Sequence, residues 1–519
     1  MRKESIFLAL LIIIFFIECL LLISYLNPNA DEGTHNLIGL FFFDFFHEWI
    51  KSPTFSIDKV YDYFINYLVY YPKLSLYYPP LFHIILSFMF NIFGISFSVG
   101  SLTALFFSVA SIFAIFLFSK KHLNNSEVSL ISSLIFVLTP AVIFLSIKTL
   151  IEIPLLFFFL ATLYSYLAAI STNKTKWFLI SSIFFALGFL TKWNIILIIP
   201  IVFIYALFDF RKSIKKLILS FLLVGILLSP YLYIAFKYDI PIIVFKVPVE
   251  AGIVENEPQW TSLSGWLYYL IQLSNSYLSI PLLILSLITL ILYARKKEKH
   301  WKLFLLWFII GYLFFTWLPN KDPRYILIIF PSLIFPFASL ISSMKKEVKS
   351  ISLSLVCFIL IISSFYYFEP TFTHKISFDS ITSQIKKEGN VLIASENSWF
   401  YSSSFMFDLA SKEGRFLRKV YRPCVLDKTD LKSLLNNEGI RYVIVAEPVR
   451  DVYMKNFEEI NKTQQLRIIS NIEGKNVNVI VYENFNYHNS TSKCNYVCVL
   501  NQWICLNSTN KISILGANS

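Results

Sequence analysis

Long apolar segments alternate with short polar ones over the first 368 residues of the chain. A segment must supply about 20 apolar residues, within a range of about 17 to 25, to cross the hydrocarbon core of a bilayer. On this pattern we predict eleven membrane-spanning helices, over residues 6–26, 97–118, 128–145, 154–170, 177–190, 193–208, 217–236, 278–293, 303–318, 325–343 and 351–368.

One further apolar run, residues 81–94, follows Tyr77, Tyr78 and two prolines. It is short for a span, so we predict a helix that lies in the outer membrane interface or dips into it. Residues 27–96 then form one large external loop. The many tyrosines of this loop suit the headgroup level, where aromatic rings are stable.

The chain changes character after residue 368, where short apolar runs of strand length appear between polar stretches. We predict strands at 391–395, 442–446 and 477–482, and helices at 431–437 and 452–460. The expected fold is therefore mainly α: a polytopic membrane helix bundle over residues 1–368, with a small external α/β domain over residues 369–519.

Four of the six cysteines lie in this C-terminal region. Two disulfides in an oxidising compartment are the expectation, and a zinc site is the alternative. The sequence does not fix which cysteines pair. The four residues are Cys424, Cys494, Cys498 and Cys505.

Composition agrees with a membrane protein: 56% of the residues are hydrophobic, 15% are charged, and the mean hydropathy is +0.63. A chain of this composition does not hide its apolar surface in a water-soluble core. The net charge of +12 does not indicate nucleic acid as a partner, because the basic residues form short clusters between apolar runs. Such clusters are a topology signal.

We place these clusters in the cytoplasm. The first segment lacks a convincing cleavage site and is predicted to be a retained anchor with a cytoplasmic N-terminus. An odd number of spans then puts the C-terminal domain outside the membrane. The clusters are Lys120-Lys121, Lys174 with Lys176, Arg211-Lys212 with Lys215-Lys216, Arg295-Lys296-Lys297 with Lys299, and Lys345-Lys346 with Lys349.

Charged residues in the predicted external loops are candidates for chemistry, because a charge at membrane depth usually serves function and has a partner. Asp31 and Glu32 follow the first span, and Glu152, Lys192 and Arg324 lie in later loops. Structural alternatives stay open for each of them. The acids would then be favourable helix-terminal charges, and the cations would only extend to the headgroups.

Three histidines, His35, His47 and His83, lie in the first predicted external loop. They lack the spacing of a known metal motif. The sequence therefore calls for no definite cofactor, and a divalent metal ion stays possible.

Five motifs together resemble the superfamily of protein mannosyltransferases and lipid A aminoarabinose transferases, which are integral-membrane glycosyltransferases of the GT-C fold. Their order and spacing carry the resemblance, which covers residues 1–343. The motifs are "ADEGTHNLIGLFF", "YYPPLFHIILSFMFNIFG", "SIKTLIEIPLLFFFLATLY", "LGFLTKWN" and "DPRYILIIFPSL".

The resemblance implies a sugar transfer, with inversion, from a polyprenyl (dolichyl-type) phosphate to a hydroxyl on a protein, lipid or glycan at the outer face. It implies Asp31 as the base, Glu32 as an orienting acid, and Glu152 as a second acid. A carboxylate within hydrogen-bond reach suits the deprotonation of the acceptor hydroxyl. Which of Asp31 and Glu32 is the base stays open.

The resemblance also implies that cations stabilise the phosphate that leaves, a role it assigns to Lys192 and Arg324. The side chains expected to contact substrate are His35, Tyr77, Tyr78, His83 and Tyr325.

Tyr77 and Tyr78 depart from the family pattern. The aminoarabinose transferases have Glu-Lys before the two prolines, and the protein mannosyltransferases have a histidine there. The donor sugar and any metal contact therefore stay open.

Two other functions are alternatives: a secondary transporter, or a membrane scaffold or receptor whose external domain binds a partner. The absence of an internal sequence repeat and the external position of the charges disfavour the transporter.

Overall fold

The computed structural model describes residues 2–25, 28–51, 53, 59, 63, 78–209, 214–237, 249, 252, 256–372, 377–397, 400–415, 417–423, 431–473, 477–489, 495–499 and 502–506. The chain forms two compact units. The first unit comprises Met1–Ser24, Tyr77–Phe82 and Ser101–Pro370. The second unit comprises Tyr25–Leu76, His83–Gly100 and Thr371–Ser519. Much of the predicted external loop thus groups with the C-terminal region.

Helices dominate the first 372 residues. In chain order they are α1 (Arg2–Ile23), α2 (Ala30–Lys51), α3 (Leu81–Phe93), α4 (Phe97–Phe118), α5 (Ser126–Leu138), α6 (Pro140–Ser146), α7 (Glu152–Thr172), α8 (Thr175–Phe189), α9 (Ile198–Asp209), α10 (Ile214–Lys237), α11 (Leu263–Gln272), α12 (Ile280–Arg295), α13 (Trp301–Trp317), α14 (Pro331–Ser343) and α15 (Lys346–Phe372). Short 3-10 segments at Trp193–Leu197 and Pro323–Ile328, and π-helical segments at Ser119–Leu123 and Leu273–Leu278, join some of them.

Each of the eleven predicted spans contains an α-helix, and the span at residues 128–145 coincides with the bent pair α5 and α6. Within the described part of the chain, five helices are long and apolar enough to cross a membrane, and counting each of two bent pairs as one span gives up to seven. Five shorter apolar helices of 10–17 residues accompany them. These helices agree with the predicted integral membrane protein, and the number of eleven spans stays a prediction.

The predicted interfacial segment after the two prolines is a helix, α3, and it is too short to count as a span. Residues 30–51, which we expected to be part of a loop, form α2. Its start explains why: Asn29 and Glu32 form the paired hydrogen bonds that begin a helix.

Ion pairs join polar connections at one end of the first unit. Glu4, in the first turn of α1, lies 3.2 Å from Lys120, which follows α4. Glu127, at the start of α5, lies 2.7 Å from Lys349, near the start of α15. Lys120 and Lys349 both belong to clusters that we predicted on one face. The contacts agree with that grouping, and the side of the membrane stays a prediction.

The C-terminal region contains a five-stranded mixed sheet in the order β2-β1-β3-β5-β4. Strands β2, β1 and β3 run parallel, whereas β5 and β4 are antiparallel to their neighbours. The elements are α16 (Phe378–Thr382), β1 (Asn390–Ser395), α17 (Ser402–Glu413), β2 (Val420–Tyr421), α18 (Leu431–Asn437), β3 (Ile440–Glu447), α19 (Met454–Lys462), β4 (Leu466–Glu473), β5 (Asn478–Asn484), β6 (Asn495–Val499) and β7 (Gln502–Leu506).

The predicted α/β fold of this region is confirmed. The three predicted strands are β1, β3 and β5, and the two predicted helices are α18 and α19. Apolar residues of β1 and β3 pack with those of α18 and α19, and together they form the core on this side of the sheet.

The predicted disulfides are described only in part. Cys424 and Cys494 lie outside the described residues. Cys498 and Cys505 lie on the paired strands β6 and β7, where Cys498 is opposite Trp503. The two disulfides therefore stay a prediction.

Candidate active site

Glu152 and Lys192, predicted from separate motifs, form a buried ion pair in the first unit. The Lys192 ammonium lies 2.7 Å from Glu152 Oε1, and the two side chains are 14% and 6% exposed. The same ammonium lies 4.6 Å from the ring centroid of Tyr325. An opposite charge at this distance offsets much of the cost of burying either group. Three predicted site residues thus lie together.

The turn that carries Lys192 is packed tightly against α7. The Lys192 amide donates to the carbonyl of Gly188, at 2.9 Å. A Cβ atom on Gly188 would lie 2.0 Å from Ile195 Cδ1 and 3.0 Å from Phe158 Cβ. Glycine at this position therefore lets the turn approach the helix that begins with Glu152.

The first residue of α3 contacts this turn. The amide of Leu81 donates to the carbonyl of Leu190, at 2.8 Å. Tyr78 is half-buried in the same unit, and Tyr77 lies outside the described residues. Leu190 is two residues before Lys192. The hydrogen bond therefore brings the residue that follows the two prolines close to the turn that carries Lys192.

Arg324 is held by Asp322, a contact that sequence inspection did not predict. Asp322 Oδ1 accepts from the backbone amide of Arg324, and Oδ2 accepts from Nε, each at 2.8 Å. The guanidinium Nη2 also contacts Oδ2. Asp322 therefore begins the 3-10 segment Pro323–Ile328 and fixes the orientation of the guanidinium.

Aromatic side chains hold the backbone of this segment and of Lys321 just before it. Each donates its polar hydrogen to a carbonyl: Tyr268 to Lys321 at 3.2 Å, Tyr277 to Pro323 at 3.1 Å, and Trp307 to Ile328 at 2.9 Å. Sequence analysis missed these residues. The sequence feature that could have identified them is a tyrosine or tryptophan in an apolar helix, because a buried O–H or N–H needs a hydrogen-bond partner.

Two other lysines of the predicted loops are buried in the first unit. The ammonium of Lys321 donates to the carbonyls of Phe315, Thr316 and Leu318, so it caps the C-terminal end of α13. Lys148 is 2% exposed, and its ammonium lies 5.6 Å from the ring centroid of Phe144. Lys321 therefore has a structural partner set, and Lys148 adds a buried cation four residues before Glu152.

Glu32 lies in the second unit and is part of a capping box. Its amide donates to Asn29 Oδ1 at 2.9 Å, and its Oε2 accepts from the Asn29 amide at 2.9 Å. Glu32 is 3% exposed, whereas the adjacent Asp31 is half-buried. The helix-terminal role considered for both acids thus fits Glu32, and Asp31 is the better candidate for the base.

Helix α17 packs against the start of α2. Ser403 Oγ donates to the Ala30 carbonyl at 2.8 Å, and Ser404 Oγ donates to the Asn29 carbonyl at 2.7 Å. A Cβ atom on Gly33 would lie 2.4 Å from the Ser404 amide nitrogen. The C-terminal region therefore holds the turn that carries Asp31.

His35 and His83 contact each other in the second unit. His35 Nδ1 lies 2.9 Å from His83 Nε2, and the side chains are 2% and 0% exposed. One ring must donate and the other accept. His47 is exposed and contacts the Phe43 carbonyl at 2.8 Å. Among the residues that the structure describes, no three His, Cys, Asp or Glu side chains are grouped as a metal site requires.

The predicted site residues therefore form two groups. Tyr78, Glu152, Lys192, Arg324 and Tyr325 belong to the first unit. The second unit contains the remaining described ones, Asp31, Glu32, His35 and His83. Their assembly into one active site stays a prediction.

Part of the chain also matches a protein-family model. Residues 78–234 match the family model described as dolichyl-phosphate-mannose-protein mannosyltransferase. A protein of Aquifex aeolicus (strain VF5), described as uncharacterized, is 24% identical over 308 residues, which are 57% of this chain. The matched part spans 59% of that protein's length.

Solved structures show the same fold. ArnT from Cupriavidus metallidurans, bound to undecaprenyl phosphate, has a TM-score of 0.64 at 12% identity, over 92% of this chain and 97% of that one. The oligosaccharyltransferase AglB from Archaeoglobus fulgidus has a TM-score of 0.54 at 11% identity, over 85% and 69% of the two chains. The arabinofuranosyltransferase AftD from Mycobacteria has a TM-score of 0.50 at 11% identity, over 80% of this chain and 36% of that one.

The fold of this chain is therefore of the GT-C type, as the motifs implied. The family model matched by residues 78–234 and the fold shared with these structures agree with the resemblance drawn from the sequence.

Proposed function

We propose that this chain transfers a sugar from a polyprenyl phosphate to an acceptor hydroxyl at the outer face of the membrane, with inversion at the anomeric carbon. The acceptor hydroxyl belongs to a protein, a lipid or a glycan. Two proteins of similar structure support the donor class. ArnT is described with undecaprenyl phosphate, and AglB with a dolichol-phosphate and an inhibitory peptide.

The buried pair of Glu152 and Lys192, with Tyr325 against the ammonium, is the observation that carries this proposal. Surroundings this apolar accommodate a lysine and a glutamate only at a cost. A phosphate that enters beside the pair would meet a preorganised cation. Arg324, the residue before Tyr325, would add a planar guanidinium suited to two phosphate oxygens.

In the proposed reaction, the acceptor oxygen attacks the anomeric carbon while Asp31 accepts the hydroxyl proton. The new carbon–oxygen bond forms as the bond from that carbon to the phosphate oxygen breaks. The bonding electron pair stays on the phosphate oxygen, so the polyprenyl phosphate leaves with one more negative charge. Lys192 and Arg324 stabilise this charge, and Glu152 holds the Lys192 ammonium in position.

The test uses the full chain in lipid nanodiscs with radiolabelled polyprenyl-phosphate sugars and a membrane extract as the acceptor source. Covalent transfer of label by the wild-type protein, and its loss in Asp31→Asn, would support the proposal. A transporter would move the labelled donor across a vesicle membrane without forming a new glycoside. A scaffold or receptor would do neither. Absence of transfer from every donor in the panel would overturn the proposal.

A further inference from the structure

The three parallel strands of the C-terminal sheet end at a common edge that carries charged residues. Glu396 directly follows β1, Arg422 directly follows β2, and Arg450 lies three residues after β3. In open α/β sheets, ligands bind outside the carboxyl ends of parallel strands. Tyr401, Ser402 and Tyr453 lie in the segments that follow β1 and β3. We call Glu396, Tyr401, Ser402, Arg422, Arg450 and Tyr453 the carboxyl-edge cluster.

Hydrogen bonds fix the backbone at this edge. Glu396 Oε2 accepts from the Ser402 amide at 3.0 Å, at the start of α17. Asn397 accepts from the Phe400 amide at 3.0 Å and donates to the Glu447 carbonyl at 3.1 Å. Glu396 and Asn397, the residues that follow β1, are thereby tied to α17 and β3.

Two polar atoms at this edge have no hydrogen-bond partner among the residues that the structure describes. Ser402 is 1% exposed, and its hydroxyl has no hydrogen-bond partner within the described parts of the chain. The same holds for Nε of Arg422, which is buried. A buried donor or acceptor without a partner costs about 1 to 3 kcal/mol, so such atoms are usually paired in the working state of a protein. A ligand at this edge would supply the missing contacts.

The cluster combines both signs of charge around two phenol rings. Burial raises the pKa of Tyr401, the charge of Arg450 lowers it, and the charges of Asp31 and Glu396 raise it. Burial also raises the pKa of Tyr453, with Glu396 acting in the same direction and Arg422 and Arg450 in the opposite one. These groups are therefore close enough to act on one another.

The charges at this edge are of both signs, so a ligand that satisfies all of them must offer hydrogen-bond donors as well as acceptors. A free anion would be repelled by Glu396, and a free cation by Arg422 and Arg450. A hydroxyl group both donates and accepts hydrogen bonds, so a ligand rich in hydroxyls satisfies acids and arginines together. The phenol rings of Tyr401 and Tyr453 offer apolar area with a polar tip.

We propose that the carboxyl-edge cluster binds a carbohydrate group of the acceptor. The identification of this ligand as part of the acceptor rests on the proposed function, in which Asp31 is the base. Tyr401 lies two residues before Ser403, whose hydroxyl donates to the carbonyl of Ala30, the residue before Asp31. A carbohydrate held at this edge would therefore have hydroxyl groups near the base.

Binding is measured by saturation-transfer NMR on the full chain in lipid nanodiscs, without glycosidic detergent and without donor. The probes are a panel of neutral hexose and pentose disaccharides, with inorganic phosphate in a separate arm. We expect a disaccharide to bind, and Arg450→Gln to weaken its affinity about tenfold, as for the loss of a hydrogen bond to a charged group. Tyr401→Phe keeps the ring and should weaken binding less.

The matched control is Arg467→Gln. Arg467 is an exposed arginine on β4, opposite Glu483, which pairs with Tyr442 near the start of β3. Arg467 therefore lies near the end of the sheet where β3 begins, opposite the carboxyl ends of the parallel strands. Arg467→Gln should bind the disaccharide like the wild type. Equal binding by wild type, Arg450→Gln and Tyr401→Phe would overturn the inference, as would binding of phosphate alone or of no disaccharide.

The binding assay needs no catalysis, so it separates this inference from the proposed function. Disaccharide binding that depends on Arg450, without transfer from any polyprenyl-phosphate sugar, would leave the site standing and refute the transferase. Transfer that proceeds with unaltered acceptor KM in Arg450→Gln and Tyr401→Phe would refute the site and leave the transferase standing.

Discussion

The ammonium of Lys192 and the carboxylate of Glu152 lie 2.7 Å apart, although 40 residues separate them in the chain. Each neutralises a charge that the apolar surroundings would otherwise disfavour. The pair is therefore both a structural contact and the proposed phosphate contact. The two roles predict different effects of substitution on stability and on turnover.

Removing one partner of the pair takes away the opposite charge 2.7 Å from the other, at a site where an uncompensated charge is costly. Lys192→Gln should lower the free energy of unfolding by about 3 to 5 kcal/mol, whereas the double variant Lys192→Met with Glu152→Leu should lie near the wild type. Thermal unfolding in nanodiscs measures both. Transfer should be lost in the single and in the double variant. Wild-type turnover by the double variant would show that the pair is structural only.

Arg324 provides a sharper probe of the phosphate contact. Arg324→Lys keeps the charge but loses the planar, two-pronged contact. Turnover should fall by a larger factor than donor affinity, because the phosphate gains charge as it leaves. Arg295→Lys is the control, since Arg295 is exposed in a predicted cytoplasmic cluster. Unchanged kinetics in Arg324→Lys would remove Arg324 from the proposed mechanism.

The neighbouring acids Asp31 and Glu32 should behave differently. Asp31→Asn should lower turnover by about 10² to 10⁴, the usual loss for a general base, with donor binding nearly unchanged. Glu32→Gln still accepts the hydrogen bond from Asn29, so it should be mild. Glu32→Ala should cost about 0.5 to 2 kcal/mol of stability, as the loss of a helix cap does. Turnover near wild type in Asp31→Asn would refute its role as the base.

The contact between Gly33 and α17 should affect catalysis through the position of Asp31. Gly33→Ala would place a Cβ 2.4 Å from the Ser404 amide nitrogen, so one backbone must move. We expect a loss of turnover with little change in donor affinity, and a milder loss in Ser403→Ala with Ser404→Ala.

The control for this prediction is Gly225→Ala in α10, where no atom lies within 4 Å of the added Cβ. It should be neutral or more stable by up to about 1 kcal/mol, because alanine favours a helix. Equal kinetics in Gly33→Ala and Gly225→Ala would contradict a positioning role for the contact.

Sequence patterns predicted those elements whose signal is local. The apolar runs predicted the helices, and strands β1, β3 and β5 followed from short apolar runs between polar stretches. The capping box at Asn29 was also present in the sequence, as an asparagine three residues before a glutamate. We assigned Glu32 to chemistry instead, because two adjacent acids after an apolar run fit both a helix start and an active site.

Contacts between distant segments could not be predicted in this way. No periodicity links Ser403 with Ala30, and none links Glu152 with Lys192, because these contacts depend on how helices pack. Asp322 and Arg324 are only two residues apart, yet their ion pair depends on the 3-10 turn between them. The order of family motifs identified Lys192 and Glu152 as site residues without indicating that they contact each other.

The hydrogen bond from Ser403 to Ala30 joins residues 373 positions apart, which has a consequence for synthesis of the protein. At about 5 to 20 residues per second, the ribosome reaches Ser403 roughly 20 to 75 s after Ala30. During that interval the first turn of α2 lacks its contact with Ser403. A nascent chain that has inserted most of its helices is therefore still incomplete around Asp31, and activity should appear only when translation has passed α17.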